Sequence, residues 1–175
     1  MEALPHEPRN FRELVESDLR RAGRLLIKVQ DAIDWQFRLA TPKGDLHMSV
    51  TMGGYMEQNA MLERIALLMH WKQVGAFSMA AESRLPTGVY AVGLSKQERH
   101  NCFAHFNPLP KPWTARNFDR IKWLPEKHIE PRIAALLPAS PRTMSPAEVS
   151  SLQEWFGPEG RFPAVHIESG ELVKL

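Results

Sequence analysis

The sequence predicts an α+β fold, a mostly antiparallel sheet of two β-hairpins and a central strand, covered by two main helices. Three observations carry that expectation. An amphipathic run with a helix-start signal lies near the beginning, an alternating apolar–polar pattern broken by a proline and a glycine follows, and ten of the fourteen prolines fall between Pro108 and Pro163.

The first element is a helix. Asn10 precedes Phe11, with Glu13 three residues on, the spacing of a capping box in which each side chain satisfies an exposed backbone N–H. Phe11, Leu14, Val15, Leu19, Ala22, Leu26, Val29 and Ile33 then recur every three or four residues and make one apolar face. Arg12, Glu16, Arg20 and Arg24 are left to face water. Gly23 costs such a helix about 1 kcal/mol relative to alanine, so Leu25 to Val29 has a competing reading as an early strand.

The period then changes to two. Trp35, Phe37 and Leu39 alternate with Gln36 and Arg38, and Leu46, Met48, Val50 and Met52 alternate with His47, Ser49 and Thr51. Pro42 and Gly44 between them favour a turn, so the pair reads as a β-hairpin with one buried face and with Ser49 on the solvent side. Gly53 and Gly54 end it. Helical spacing returns from residue 55 to 74 through Met61, Ile65, Leu68 and Met69. Met48, Met52, Met61 and Met69 thereby fall on core-facing positions, as gap-fillers or as the wall of an adjustable groove.

Residues 75–83 form a short apolar run bounded by glycine and charge, the mark of a buried central strand. Residues 88–94 and 101–106 are two more apolar runs joined by the polar turn 95–99, a second hairpin. Helices on one face of this sheet complete the core, placed at residues 1–106. Residues 107–175 read as a proline-rich arm packing on that core within the same domain, because such proline density excludes long regular elements. Short helices are expected at 126–137 and at 145–156, the latter opened by Ser145, Pro146 at the first helical position and Glu148. The ending, 162–175, reads as an added strand.

Composition narrows the function. A chain of 175 residues, 43% hydrophobic and 24% charged, matches ordinary globular usage. Lys and Arg number 22 against 20 acids, and a net charge of +2 gives no strong electrostatic case for nucleic acid or a membrane. The first 21 residues lack the basic start and apolar stretch of a secretory signal, and no run of about 18 apolar residues suggests a membrane span. One cysteine cannot form an internal disulfide, which fits a reducing compartment, so a cytoplasmic protein with no membrane association is expected.

Cys102, between His100 and His105, raises the question of a metal or thiol site. On a strand His100 and Cys102 share a face and His105 takes the other, which leaves two ligands where zinc needs three or four. His47 adds a third only if its strand is a neighbour. Neither a metal nor a cofactor is therefore expected. Phe103 and Ala104 flank the thiol, an apolar setting that makes it a core residue rather than a nucleophile. The nucleophile-elbow, P-loop, dinucleotide and zincin motifs are all missing from the sequence.

Glu82 sits just after an apolar strand, where a general base is often placed, and with His47 and His100 it makes the candidate catalytic set. A surface pair with Arg84 is the structural alternative. Between Lys111 and Arg132, six Lys or Arg stand against three acids, with Trp113, Phe118 and Trp123 interleaved. Lys111, Trp113, Arg116, Arg120, Lys122 and Trp123 are accordingly the candidate binding residues. Such a mixture suits phosphate contact and base stacking. It equally suits an arm whose rings pack on the sheet, or a contact with another protein or a second copy of the chain. The expected function is non-catalytic protein binding or oligomerisation; the alternatives are nucleic-acid binding through 111–132 and an enzyme with a pocket around Glu82 and His47 or His100.

Overall fold

A computed structural model describes residues 10–52, 54–140 and 142–156. Helix α1 spans Phe11–Val29, and the Asn10 side chain accepts from the Glu13 amide at 2.9 Å. It continues through residues 25–29, so the helical reading of that segment holds and the strand reading does not. Gln30 stops it in the left-handed region at φ 59°, returning its N–H to the Leu26 carbonyl at 2.9 Å.

Strands β1 (Trp35–Thr41) and β2 (Gly44–Val50) form the expected hairpin, in register from Trp35 opposite Val50 to Thr41 opposite Gly44. Gly44 takes φ 115°, which a side chain would resist. Helix α2 (Tyr55–Trp71) carries the chain back, so that β3 (Ala76–Arg84) pairs antiparallel with the free side of β1. Strands β4 (Thr87–Ser95), β5 (Arg99–His105) and the two-residue β6 (Lys122–Trp123) complete one antiparallel sheet in the order β2-β1-β3-β4-β5-β6. This is the α+β architecture that the alternation predicts. The strand expected to be buried and central, β3, lies between β1 and β4, and it also makes a tight hairpin with β4 through Leu85 and Pro86.

The helices do not share a face, contrary to the expectation from sequence. Phe37, Leu39, Phe77, Met79, Val92 and Leu94 point to one side and cluster with Leu62, Ile65, Leu68 and Met69 of α2. Ala80, Val89, Ala91, Cys102 and Ala104 point to the other and cluster with Val15, Leu19, Ala22 and Leu26 of α1. The reason lies in β3 and β4, whose residues are apolar on both faces, so each face needs its own cover. Ser49 is corrected for the same reason. It lies on the α1 side, is 2% exposed and accepts from Gln36 at 2.8 Å, rather than facing solvent.

Helix α2 buries Leu62, Ile65, Leu68 and Met69 between the sheet and the C-terminal helices and leaves Glu57 and Glu63 exposed. Ile133 of α3 (Pro131–Ala134) and Leu152 and Phe156 of α4 (Pro146–Phe156) join its cluster. Helix α4 opens as expected, with Ser145 Oγ accepting from the Glu148 amide at 3.2 Å and the Glu148 carboxylate accepting from the Ser145 amide at 3.1 Å. Met48, Met69 and Met79 are buried, while Met52 and Met61 pack from the edge. The strand expected at 162–175 lies outside the described residues. No helix among the described residues is long and apolar enough to cross a membrane.

From Asn107 the chain turns back along β5. Phe106 bridges Phe118, and Trp123 pairs with Cys102. Two side chains tie this arm to the end of α1: Gln30 donates to the Trp113 carbonyl at 2.9 Å and accepts from the Trp113 amide at 2.7 Å, and Lys111 Nζ donates to the Gln30 carbonyl at 3.1 Å.

Candidate functional site

His47 and His100 lie in one cross-strand row on the α1 face, running His47, Arg38, Ser78, Gly93, His100. Four strand steps at about 4.8 Å put them roughly 19 Å apart. Glu82 is four residues further along β3 than Ser78, opposite Val89, and so lies roughly 13 Å from that row. The three candidate catalytic residues do not converge.

Each has a local partner instead. His47 belongs to a buried ionic cluster, in which Asp18, 6% exposed, accepts from Arg21 at 2.6 Å and from Arg38 Nη2 at 2.7 Å and Nε at 3.0 Å. Arg21 Nη1 stands 3.5 Å from His47 Nδ1. Burial first, and then the Arg38 and Arg21 charges, push the imidazole down to about 4, so it is a neutral acceptor near pH 7. His100 meets the Glu98 carboxylate at 3.1 Å and packs between Phe11 and Trp123. Glu98 stands two residues before His100, the same-face spacing of a strand, so this partner is visible in the sequence itself.

Glu82 accepts from the Ile33 amide and not from Arg84, although both line one cleft of about 540 Å³ with Asp34, Trp35, Met52 and Gln58. Cys102 is fully buried, and burial pushes its thiol up to about 12, where it has no nucleophilic character at neutral pH. His105 takes the opposite face, 3.6 Å from Asp119. Among the described residues no three His, Cys, Asp or Glu side chains gather as metal ligands.

The arm's indoles pack on the core. Trp113 meets the Phe106 ring edge-on at 5.0 Å, its Nε1 donates to the Pro108 carbonyl at 2.9 Å, and Lys111 covers its face at 4.4 Å. Arg12 covers Trp123 at 4.3 Å. Lys111, Arg116, Arg120 and Lys122 remain exposed.

Between α1 and this arm lies a groove of about 330 Å³. Leu19, Gly23, Ile27, Ala104, Phe118 and Ile121 make its apolar lining, with Arg20 and Arg24 on the α1 side and Asp119 on the other. Arg116 and Arg120 adjoin the arm's lining residues in the chain. Arg20 is held by Glu16 at 3.6 Å, whereas Arg24, Arg116 and Arg120 have no ion-pair partner among the described residues. Sequence reading had assigned Arg20 and Arg24 only to solvent. The signal in reach was Arg20, Arg24 and Lys28 at four-residue spacing, a cationic stripe beside Leu19, Gly23 and Ile27.

Compared with known proteins, the chain matches no family model, no characterised protein sequence and no solved structure.

Proposed function

We propose that the protein is a non-catalytic binding module that docks an acidic segment of another protein, or of a second copy of itself, in the groove between α1 and the arm. The groove itself carries this reading: an apolar lining flanked by the guanidinium groups of Arg20 and Arg24, with exposed Arg116 and Arg120 nearby. An apolar anchor side chain would fill the floor while neighbouring carboxylates meet the cations, the combination that concentrates binding energy in a few residues. A lone, buried cysteine supports a cytoplasmic setting.

Nucleic-acid binding is the second reading, favoured by the exposed cations of 111–122. Against it stand Trp113 and Trp123, whose rings are each covered on one face by Lys111 or Arg12 and are partly buried against Phe106 and His100.

The test places a photo-crosslinking amino acid at Ile27, in the groove, and at Glu154 on α4 as a control, in cells making the protein. A nuclease-resistant protein adduct is expected from position 27 alone, and lost in Arg24→Glu/Arg116→Glu. An adduct at the mass of two chains makes the second copy the occupant. Nuclease-sensitive adducts, or adducts indifferent to the charge reversal, would overturn the reading.

A further inference from the structure

Two depressions meet at the end of the sheet opposite the Glu82 cleft. One, of about 820 Å³, lies between the β4–β5 turn, α2 and the segment following α3. The other, of about 420 Å³, runs from there toward the β1–β2 turn, and the two share His70, Lys96 and Pro138. Either volume falls in the range of small-ligand sites, about 300–1,000 Å³.

The sequence explains why the space is open. Ala66 on one wall and Ala134 and Ala135 on the other present no bulk, and beneath them Leu94 and Leu136 are buried and apolar. The polar groups are unevenly engaged. Glu98 is taken by His100 at 3.1 Å, while Lys96 and Arg99, on the same turn, have no ion-pair partner among the described residues. Lys96 and Arg99 thus share the lining with the His70 imidazole and the buried Leu94 and Leu136, and Glu126 is its one carboxylate with no ion pair among the described residues.

We infer that this cleft binds a small amphiphilic organic anion, its anionic group between Lys96 and Arg99 and its apolar body on Leu94 and Leu136. The site is separate from the α1–arm groove, and neither proposal depends on the other. The cations supply charge-assisted hydrogen bonds, and the floor supplies the apolar contact that inorganic ions lack.

The probe is 8-anilinonaphthalene-1-sulfonate, an aromatic anion whose fluorescence rises on apolar surfaces, added to the full chain. Saturable one-to-one binding is expected, displaced by hexanoate if a carboxylate suits the cations and by hexyl phosphate if a phosphate ester does. Lys96→Glu/Arg99→Glu should weaken it at least tenfold and Ala135→Phe should weaken it by filling the space, while Arg84→Glu, at the far end of β3, leaves it unchanged. Unsaturable fluorescence, or binding that survives the double reversal, overturns the inference. Amide shifts in the unaltered protein keep the test independent of variant folding: they must fall on residues 94–99 and 134–136, and shifts confined elsewhere would also overturn it.

Discussion

Val15 of α1 rests directly on Gly93 of β4: a Cβ built on that glycine would stand 2.1 Å from Val15 Cγ2 and 3.1 Å from the Phe11 ring. The helix sits as low as it does on the sheet because β4 offers no side chain at that point. Gly93→Ala must lift α1 or distort β4, an overpacking cost of about 1–3 kcal/mol. Gly23 is the contrasting case, since its added Cβ meets the Phe118 ring at 3.5 Å, an ordinary contact, in a helix where alanine is favoured. Gly23→Ala should therefore stabilise by about 0.5–1 kcal/mol. Urea midpoints of the two variants are expected to move in opposite directions.

Asp18 neutralises two guanidiniums beneath α1, with Arg21 at 2.6 Å and Arg38 at 2.7 Å, and Arg38 also meets the exposed Asp45 at 3.5 Å. Asp18→Ala leaves both arginines beside each other in a site where Asp18 is only 6% exposed, and removing one partner of a buried pair costs about 3–5 kcal/mol. Asp18→Ala/Arg38→Met should recover part of the loss, because it removes the stranded charge. A double-mutant cycle by urea unfolding measures this; additive losses would show that the pair is not coupled.

His47 makes stability depend on pH. Its folded value near 4 lies below its ordinary 6.5, so the unfolded chain binds the extra proton between those values. Unfolding is then favoured as pH falls: the stability present above 6.5 is lost progressively down to about 4, by roughly 2–3 kcal/mol for this half-buried ring. His47→Gln keeps an acceptor for Arg21 and should flatten that part of the profile. Thermal midpoints from pH 7 to pH 4 give the comparison, and an equal fall in both proteins would assign the acid sensitivity to other groups.

The sheet's elements were legible because β1 and β2 alternate strictly and α1 carries its own cap at Asn10. Which face each helix covers was not. Apolar runs such as residues 76–81 and 88–94 are buried on both sides, and a periodicity argument sees one face at a time. The same blindness put Ser49 in solvent, whereas α1 brings polar residues of its flank, Asp18 and Arg21, over that part of the sheet. The candidate residues Glu82, His47 and His100 were found by type, but their separation follows from strand order, set by the crossover through α2. The sequence allows the arm's rings two fates, stacking on a base or packing on the sheet; the bond by which Gln30 fastens Trp113 joins residues 83 apart, a separation that no local pattern reveals.

Cys102 supplies the last test, and it runs at alkaline pH. The thiol lies between the Ala91 strand position and Trp123, fully buried, with its value raised from 9.0 to about 12. At pH 8 the thiolate fraction is on the order of 10⁻⁴, so labelling of the native protein should be slower than that of the unfolded chain by about three orders of magnitude or more. The linkage has a definite sign. A raised value means the folded chain holds its proton where the unfolded chain has lost it, so stability is intact below pH 9 and falls as pH rises toward 12. The loss follows about 1.4 kcal/mol per pH unit for one group. Tyr90, raised by burial to about 12 from 10.0, adds to the upper part of the same window. Cys102→Ala should therefore remove the decline between pH 9 and 10 and leave only the Tyr90 share, about half the slope, above it, as read from urea midpoints at half-unit steps. Rapid labelling of the folded chain, or a profile unchanged by the substitution, would place the thiol at the surface and undo the core reading.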